Sequence, residues 1–142
     1  MVIQTSNSNE TKQFAASLAR QFKSKGGIIA LVGDLGSGKT TFTQGFASAL
    51  GITDKINSPT FTLIRQHQLP DDDRTLYHLD LYRLEEINLD ELGLTDLFNQ
   101  THDIILIEWA EKLGSKLPKE AITIKFKHLS EDQRVIEILN AK

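Results

Sequence analysis

The sequence predicts one α/β domain whose mixed sheet has a parallel centre, antiparallel extensions and helices on both faces. Three observations predict it. Residues 28–32 and 104–107 are short, uninterrupted apolar runs rich in β-branched residues, the pattern of strands buried on both faces of a sheet. The first run leads into Gly33-Asp34-Leu35-Gly36-Ser37-Gly38-Lys39-Thr40, which satisfies G-x-x-x-x-G-K-[ST] in full, and a helical pattern follows it. Residues 122–126 and 135–139 alternate around the polar turn 129–133 and read as a closing hairpin.

Each element has its own warrant. Residues 6–25 read as a first helix, capped by Ser8 or Asn9, with Phe14, Leu18 and Phe22 forming an apolar stripe at i, i+4, i+8. Gly26-Gly27 separates it from the strand at 28–32. Phe42, Phe46, Ala49 and Leu50 recur at helical spacing from about 39 to 50, and Gly51 marks the stop. After Asn57-Ser58-Pro59, residues 60–82 read as a hairpin around the polar turn Pro70-Asp71-Asp72-Asp73. Residues 84–99 are helical or in short helical turns, broken near Gly93. No repeat, low-complexity segment or boundary divides the chain, and 142 residues suit a single domain, 1–142.

Bulk composition narrows the function classes. A net charge of −3 gives no overall electrostatic reason to bind nucleic acid. The chain has no cysteine, which excludes disulfides and cysteine-based zinc sites. The first ten residues, MVIQTSNSNE, lack a basic segment and an apolar core, so no secretory leader is expected; no apolar run is long enough to span a bilayer. A cytoplasmic protein with no membrane association is the simplest reading.

The eight-residue motif is a P-loop, and each position has a physical task. Glycines let the backbone fold into a nest whose N–H groups face phosphate oxygens. Asp34, Leu35, Gly36, Ser37, Gly38 and Lys39 form this cradle, and Lys39 brings a compact positive charge to the β and γ phosphates. Thr40 offers a hydroxyl to Mg2+, Thr41 follows in the first helical turn, and the helix directs its positive dipole end at the phosphates. The predicted class is therefore a single-domain P-loop NTPase, with ATP and Mg2+ as cofactors. The chain has no N-K-x-D element for guanine, which favours ATP.

Further residues should gather around the loop, because ligands of such sheets lie beyond the carboxyl ends of the strands. The run 104–107 delivers Glu108, placed to hold Mg2+ or to orient the attacking water; its length leaves both roles open. Trp109, the sole tryptophan, either packs on the nucleotide or belongs to the core. On a strand, His78, Asp80 and Tyr82 share one face while Leu79 and Leu81 turn to the core, which makes Asp80 a second carboxylate for the metal region. For His78 and Tyr82 a solvated sheet face is the plainer alternative. Thr60 lies about twenty residues after the P-loop, where many nucleotide switches place a threonine that closes over the γ-phosphate. Lys39, Thr60, Asp80 and Glu108 are thus the candidate catalytic set, and Thr40, Asp80 and Glu108 the candidate metal set.

Four motifs occur in order: the P-loop, Ser58-Pro59-Thr60-Phe61, His78-Leu79-Asp80-Leu81-Tyr82-Arg83 and Ile107-Glu108-Trp109-Ala110-Glu111. In this the chain resembles the TsaE (YjeE) family of bacterial P-loop ATPases over essentially its whole length. The resemblance implies an ATP-hydrolysing accessory subunit in the synthesis of N6-threonylcarbamoyladenosine at position 37 of tRNAs that read A-starting codons. It implies TsaD and TsaB homologues as partners, weak ATPase activity in isolation, only indirect contact with tRNA, and a transferase activity that resides elsewhere. It also places Trp109 near the nucleotide and, on a weak local match, Thr11 near the adenine. Two other classes fit the P-loop itself: a small P-loop kinase, which a phosphorylated acceptor would reveal, and a nucleotide-gated binding module whose hydrolysis is incidental.

Overall fold

The computed structural model describes residues 1–33, 36–53, 64–70, 73–100 and 102–139. In chain order the elements are β1 (Val2–Thr5), α1 (Ser8–Lys25), β2 (Gly27–Gly33), α2 (Lys39–Ala49), β3 (Ile64–Gln68), β4 (Thr75–Asp80), α3 (Leu94–Asn99), β5 (Ile104–Glu108), a 3₁₀ segment (Ala110–Lys116), β6 (Ile122–His128) and β7 (Arg134–Leu139). The strands form one sheet in the order β1-β7-β6-β2-β5-β4-β3. β6, β2, β5 and β4 run parallel at its centre, and β7, β1 and β3 add antiparallel pairings. The mixed α/β class expected from the sequence is the class observed.

The two apolar runs become neighbours. Ile28 to Leu31 of β2 pair in register with Ile105 to Glu108 of β5, and all five residues of β5 are buried. Side chains alternate between two apolar layers. On one face Ile29, Leu31, Leu76, Ile104 and Leu106 pack against Phe22, Phe42 and Phe46 of α1 and α2. On the other, Ala30, Leu79, Ile105 and Ile107 meet Leu81, Ile87, Leu94 and Leu113 from the segments around α3 and the 3₁₀ turn.

Local details correct several expectations. The α1 cap is Asn7, whose side chain accepts from the Glu10 N–H at 2.9 Å, rather than Ser8 or Asn9. Asn7 wins because its extended backbone precedes the first helical residue, the geometry that an N-cap requires. β1, which the sequence reading left unassigned, pairs with the far edge of β7. β4 stops at Asp80, so Tyr82 leaves the alternation and stands exposed in a turn instead of sharing a face with His78. The hairpin predicted over 60–82 is present as β3 and β4, while Thr60 and its neighbours up to residue 63 lie outside the described residues. Gly93, in the left-handed region at φ 71°, marks the start of α3 as expected.

Helices α1 and α2 cross closely at Gly45. A Cβ there would lie 2.7 Å from the Lys12 Cα and 2.9 Å from its carbonyl oxygen, backbone atoms that cannot swing aside. Alanine is ordinarily the better helix former by about 1 kcal/mol. Gly45→Ala should nevertheless destabilise the protein by about 1–2 kcal/mol, because overpacking outweighs propensity. Chemical denaturation of the two forms measures it; a more stable variant would contradict the tight crossing.

Candidate functional site

The site forms where the carboxyl ends of β2, β4 and β5 meet the start of α2. Parallel pairing sets Leu31 opposite Glu108 and Glu108 opposite Asp80, so both acids reach the same end of the sheet as the P-loop. Thr40, in the first turn of α2, lies across from them and its Oγ1 donates to Glu108 Oε1 at 3.4 Å. The convergence expected of Lys39, Thr40, Asp80 and Glu108 is present.

The loop itself is shaped for an anion. Gly36 and Gly38 have φ of 76° and 111°, conformations that side chains disfavour. Gly33 is more constrained still, since a Cβ would stand 2.6 Å from the Phe126 carbonyl oxygen. Its N–H donates to Glu111 Oε2 at 3.1 Å and its carbonyl accepts from Lys39 Nζ, so the peptide at the mouth of the loop is held from both sides. No side chain caps the start of α2 among the described residues, which leaves its positive end available. Ser37 Oγ is buried without a hydrogen-bond partner among the described residues, as is Arg134 Nε beside the loop. Unspent donors around a left-handed glycine nest fit a polyphosphate. Asp34 and Leu35 lie outside the described residues.

Lys39 is buried, and its ammonium sits 3.4 Å from the centroid of the Trp109 ring. This is a cation–π contact at close range. Trp109 has φ 59°, the one non-glycine residue with positive φ among those described. That turn swings its indole back over the loop, with the Tyr82 ring behind it at 4.9 Å between centroids. Trp109 is thus half-buried, walls the site on one side and packs against the apolar layer of Ile107 and Leu113 on the other. Lys112 braces this wall by donating to the Tyr82 and Leu84 carbonyls at 2.6 and 2.8 Å.

The acids differ in their surroundings. Glu108 is buried, with Oε2 2.5 Å from Nε2 of the equally buried His78. The solvated-face alternative for His78 therefore fails: α1 and α2 cover that side of the sheet. Asp80 is half-buried and accepts from the Tyr82 N–H at 3.0 Å. Burial pushes its carboxyl above the ordinary carboxylate value; the Tyr82 N–H opposes this, the charge of Glu108 adds to it, and His78 and Lys39 oppose it.

Two further expected residues have their own surroundings. Thr11 is buried with its Oγ1 2.9 Å from Thr5 Oγ1, so its hydroxyl links α1 to β1. Thr41 is half-buried in the first turn of α2. One residue was missed: Arg134, at the start of β7, donates through Nη2 to the Gly36 carbonyl at 3.3 Å and through Nη1 to the carbonyls of Ser130, Glu131 and Gln133. Nothing near Arg134 in the sequence signals this, because only the sheet order carries β7 to the loop.

Comparison with known proteins gives the family and the fold. The family described as "Threonylcarbamoyl adenosine biosynthesis protein TsaE" matches residues 5–136. The chain belongs to the TsaE family. It is 44% identical over 132 residues to the Bacillus subtilis protein named tRNA threonylcarbamoyladenosine biosynthesis protein TsaE, covering 93% of this chain and 80% of that one. The Haemophilus influenzae protein of the same name is 38% identical, over 90% and 79% of the two chains. The crystal structure of Bacillus subtilis YdiB superposes with a TM-score of 0.75 at 39% identity, covering 96% of this TsaE-family chain and 82% of that one. No helix among the described residues is long and apolar enough to cross a membrane.

Two measurements test the site. Ionised Asp80 is disfavoured in the folded protein, so what it contributes to stability is fully present below the ordinary value of 3.8 and is lost as pH rises through the higher folded value. Metal-free Asp80→Asn should therefore melt above wild type at neutral pH, with the gap closing as pH is lowered; equal melting curves at neutral pH would contradict the raised carboxyl. Separately, saturating ATP should change the emission of Trp109, the chain's single tryptophan, as Lys39 leaves its ring for phosphate. Unchanged emission would show that Lys39 stays where it is.

Proposed function

We propose that this chain is the ATP-binding and ATP-hydrolysing accessory subunit of the machinery that forms N6-threonylcarbamoyladenosine at position 37 of tRNAs reading A-starting codons. The observation that carries the reading is the meeting of a P-loop lysine, Thr40 and two carboxylates at one end of the sheet, in a chain of the TsaE family. The nest of P-loop N–H groups and the end of α2 receive the phosphates. Lys39 moves from the Gly33 carbonyl and the Trp109 ring to the β and γ phosphates, where its charge meets anionic oxygens. Thr40 and Glu108 Oε1 form the edge that would hold Mg2+, with Asp80 beside them. When bound, Mg2+ neutralises charge that develops on the transferred phosphoryl group. Asp80, with its raised carboxyl, stands where it orients the attacking water or completes the metal shell.

The remaining assignments extend the same reading. Thr60 closes over the γ-phosphate from its place after the P-loop, and Thr11 marks the adenine side by resemblance. Homologues of TsaB and TsaD are the partners, and ATP turnover resets their complex rather than transferring the threonylcarbamoyl group. The chain works in the cytoplasm and meets tRNA only through that complex.

The test uses three proteins. Lys39→Ala should lower ATP hydrolysis by at least about 100-fold and abolish support of tRNA modification, given the electrostatic weight of such a lysine. Glu108→Gln should still bind ATP, and should still join purified TsaB and TsaD homologues in an ATP-dependent pull-down, but should not sustain repeated modification. Many rounds of modification with Glu108→Gln would make this a nucleotide-gated binding module instead.

A further inference from the structure

The geometry points to His78 as the positioning residue that sets the orientation of the Glu108 carboxylate toward Thr40. This deepens the nucleotide-site reading above and rests on it. Glu108 sits at the end of a fully buried strand, and its two oxygens face different partners: Oε2 meets His78 Nε2 at 2.5 Å, and Oε1 meets Thr40 Oγ1 at 3.4 Å. A glutamate carboxylate has a broad, two-fold terminal torsion, so nothing intrinsic decides which oxygen looks where. His78 decides it. An ionised carboxylate has no hydrogen to give, so Nε2 must donate and Oε2 is committed to it. That leaves Oε1 as the oxygen presented to the metal edge.

Backbone and burial fix the imidazole in turn. His78 lies inside β4, paired with Arg65 on one side and Leu106 on the other, and is 1% exposed. Its second nitrogen, Nδ1, is buried with no partner among the described residues, so the ring makes one specific hydrogen bond and that bond goes to Glu108. A histidine that merely filled the core would gain nothing from this arrangement, since an unpaired buried nitrogen costs stability. The arrangement resembles outer-shell support of metal carboxylates in general, where a hydrogen bond behind the ligand holds its orientation.

Replacement by amides separates positioning from filling. Glutamine can place its amide nitrogen close to where Nε2 stands, whereas asparagine is too short to reach Glu108. Mn2+ uptake by ADP-loaded protein, followed by electron paramagnetic resonance, is the readout. His78→Asn and His78→Leu should weaken Mn2+ binding by about 10–100-fold, while His78→Gln restores it. Binding of ADP without metal, measured on the same samples, should be unchanged in all three. Variants that hold Mn2+ as wild type does, or a glutamine variant as weak as the asparagine one, overturn the proposal alone. Wild-type protein that binds no ADP overturns the nucleotide reading and this inference with it. A second measurement needs no disruptive variant. In nitrogen-15 NMR of wild-type protein, the His78 Nε2–H signal, identified by its loss in His78→Gln, should lie far downfield and shift when Mg2+ joins bound ADP. A signal that ignores the metal overturns the positioning role.

Discussion

Parallel register at the centre of the sheet is the constraint on which the site depends. Leu31, Glu108 and Asp80 lie side by side across three strands because β2, β5 and β4 pair without a bulge. In a strand the side-chain period is two, so a slip of one residue would turn Glu108 away from α2 and toward the opposite layer. The apolar alternation prevents the slip. Ile104 and Leu106 fill one layer, Ile105 and Ile107 the other, and both layers are packed. The same burial that stabilises β5 therefore aims its terminal acid. Chemistry and stability are set by one pattern of side chains.

Within that frame each charged group of the site has partners from the protein itself. Lys39 touches a carbonyl and an indole, and its charge also acts on Asp80. Glu108 rests on an imidazole, and Asp80 on a backbone N–H. On the function proposed above, a polyphosphate would offer the lysine an anionic partner and a metal would offer the acids a cationic one. Each exchange would give a charged group an oppositely charged partner, which is the direction that favours binding. The Gly33 N–H is bonded to Glu111, a contact that does not involve Lys39.

Much of this was legible in the sequence because it rests on local patterns. The buried runs at 28–32 and 104–107, the loop between strand and helix, and the closing hairpin are each written in consecutive residues. Glu108 could be nominated because it ends a buried run, and Asp80 because it alternates with Leu79 and Leu81 on a strand. What escaped depends on distant partners. β1 is a strand only because β7 offers it an edge, and its four residues carry no strong pattern. Arg134 reaches the P-loop only through the sheet order, and Asn7 displaces neighbours of equal capping tendency through backbone geometry. For His78 the sequence left a solvated face open, because alternation gives the face but not what covers it. Tyr82 shows the reverse failure, since alternation was carried two residues past the true end of β4.

Trp109 shows how far the demands on one position can diverge. Its backbone sits where glycine or asparagine is comfortable, and a bulky residue there costs about 1–2 kcal/mol. Glycine at 109 would relieve that cost but would give up the packing of the indole against the layer of Ile107 and Leu113. It would also erase the aromatic seat on which Lys39 waits and the surface against which Tyr82 stacks. Engineering this chain for robustness therefore requires exempting position 109, because there a more comfortable backbone and a working loop are competing outcomes.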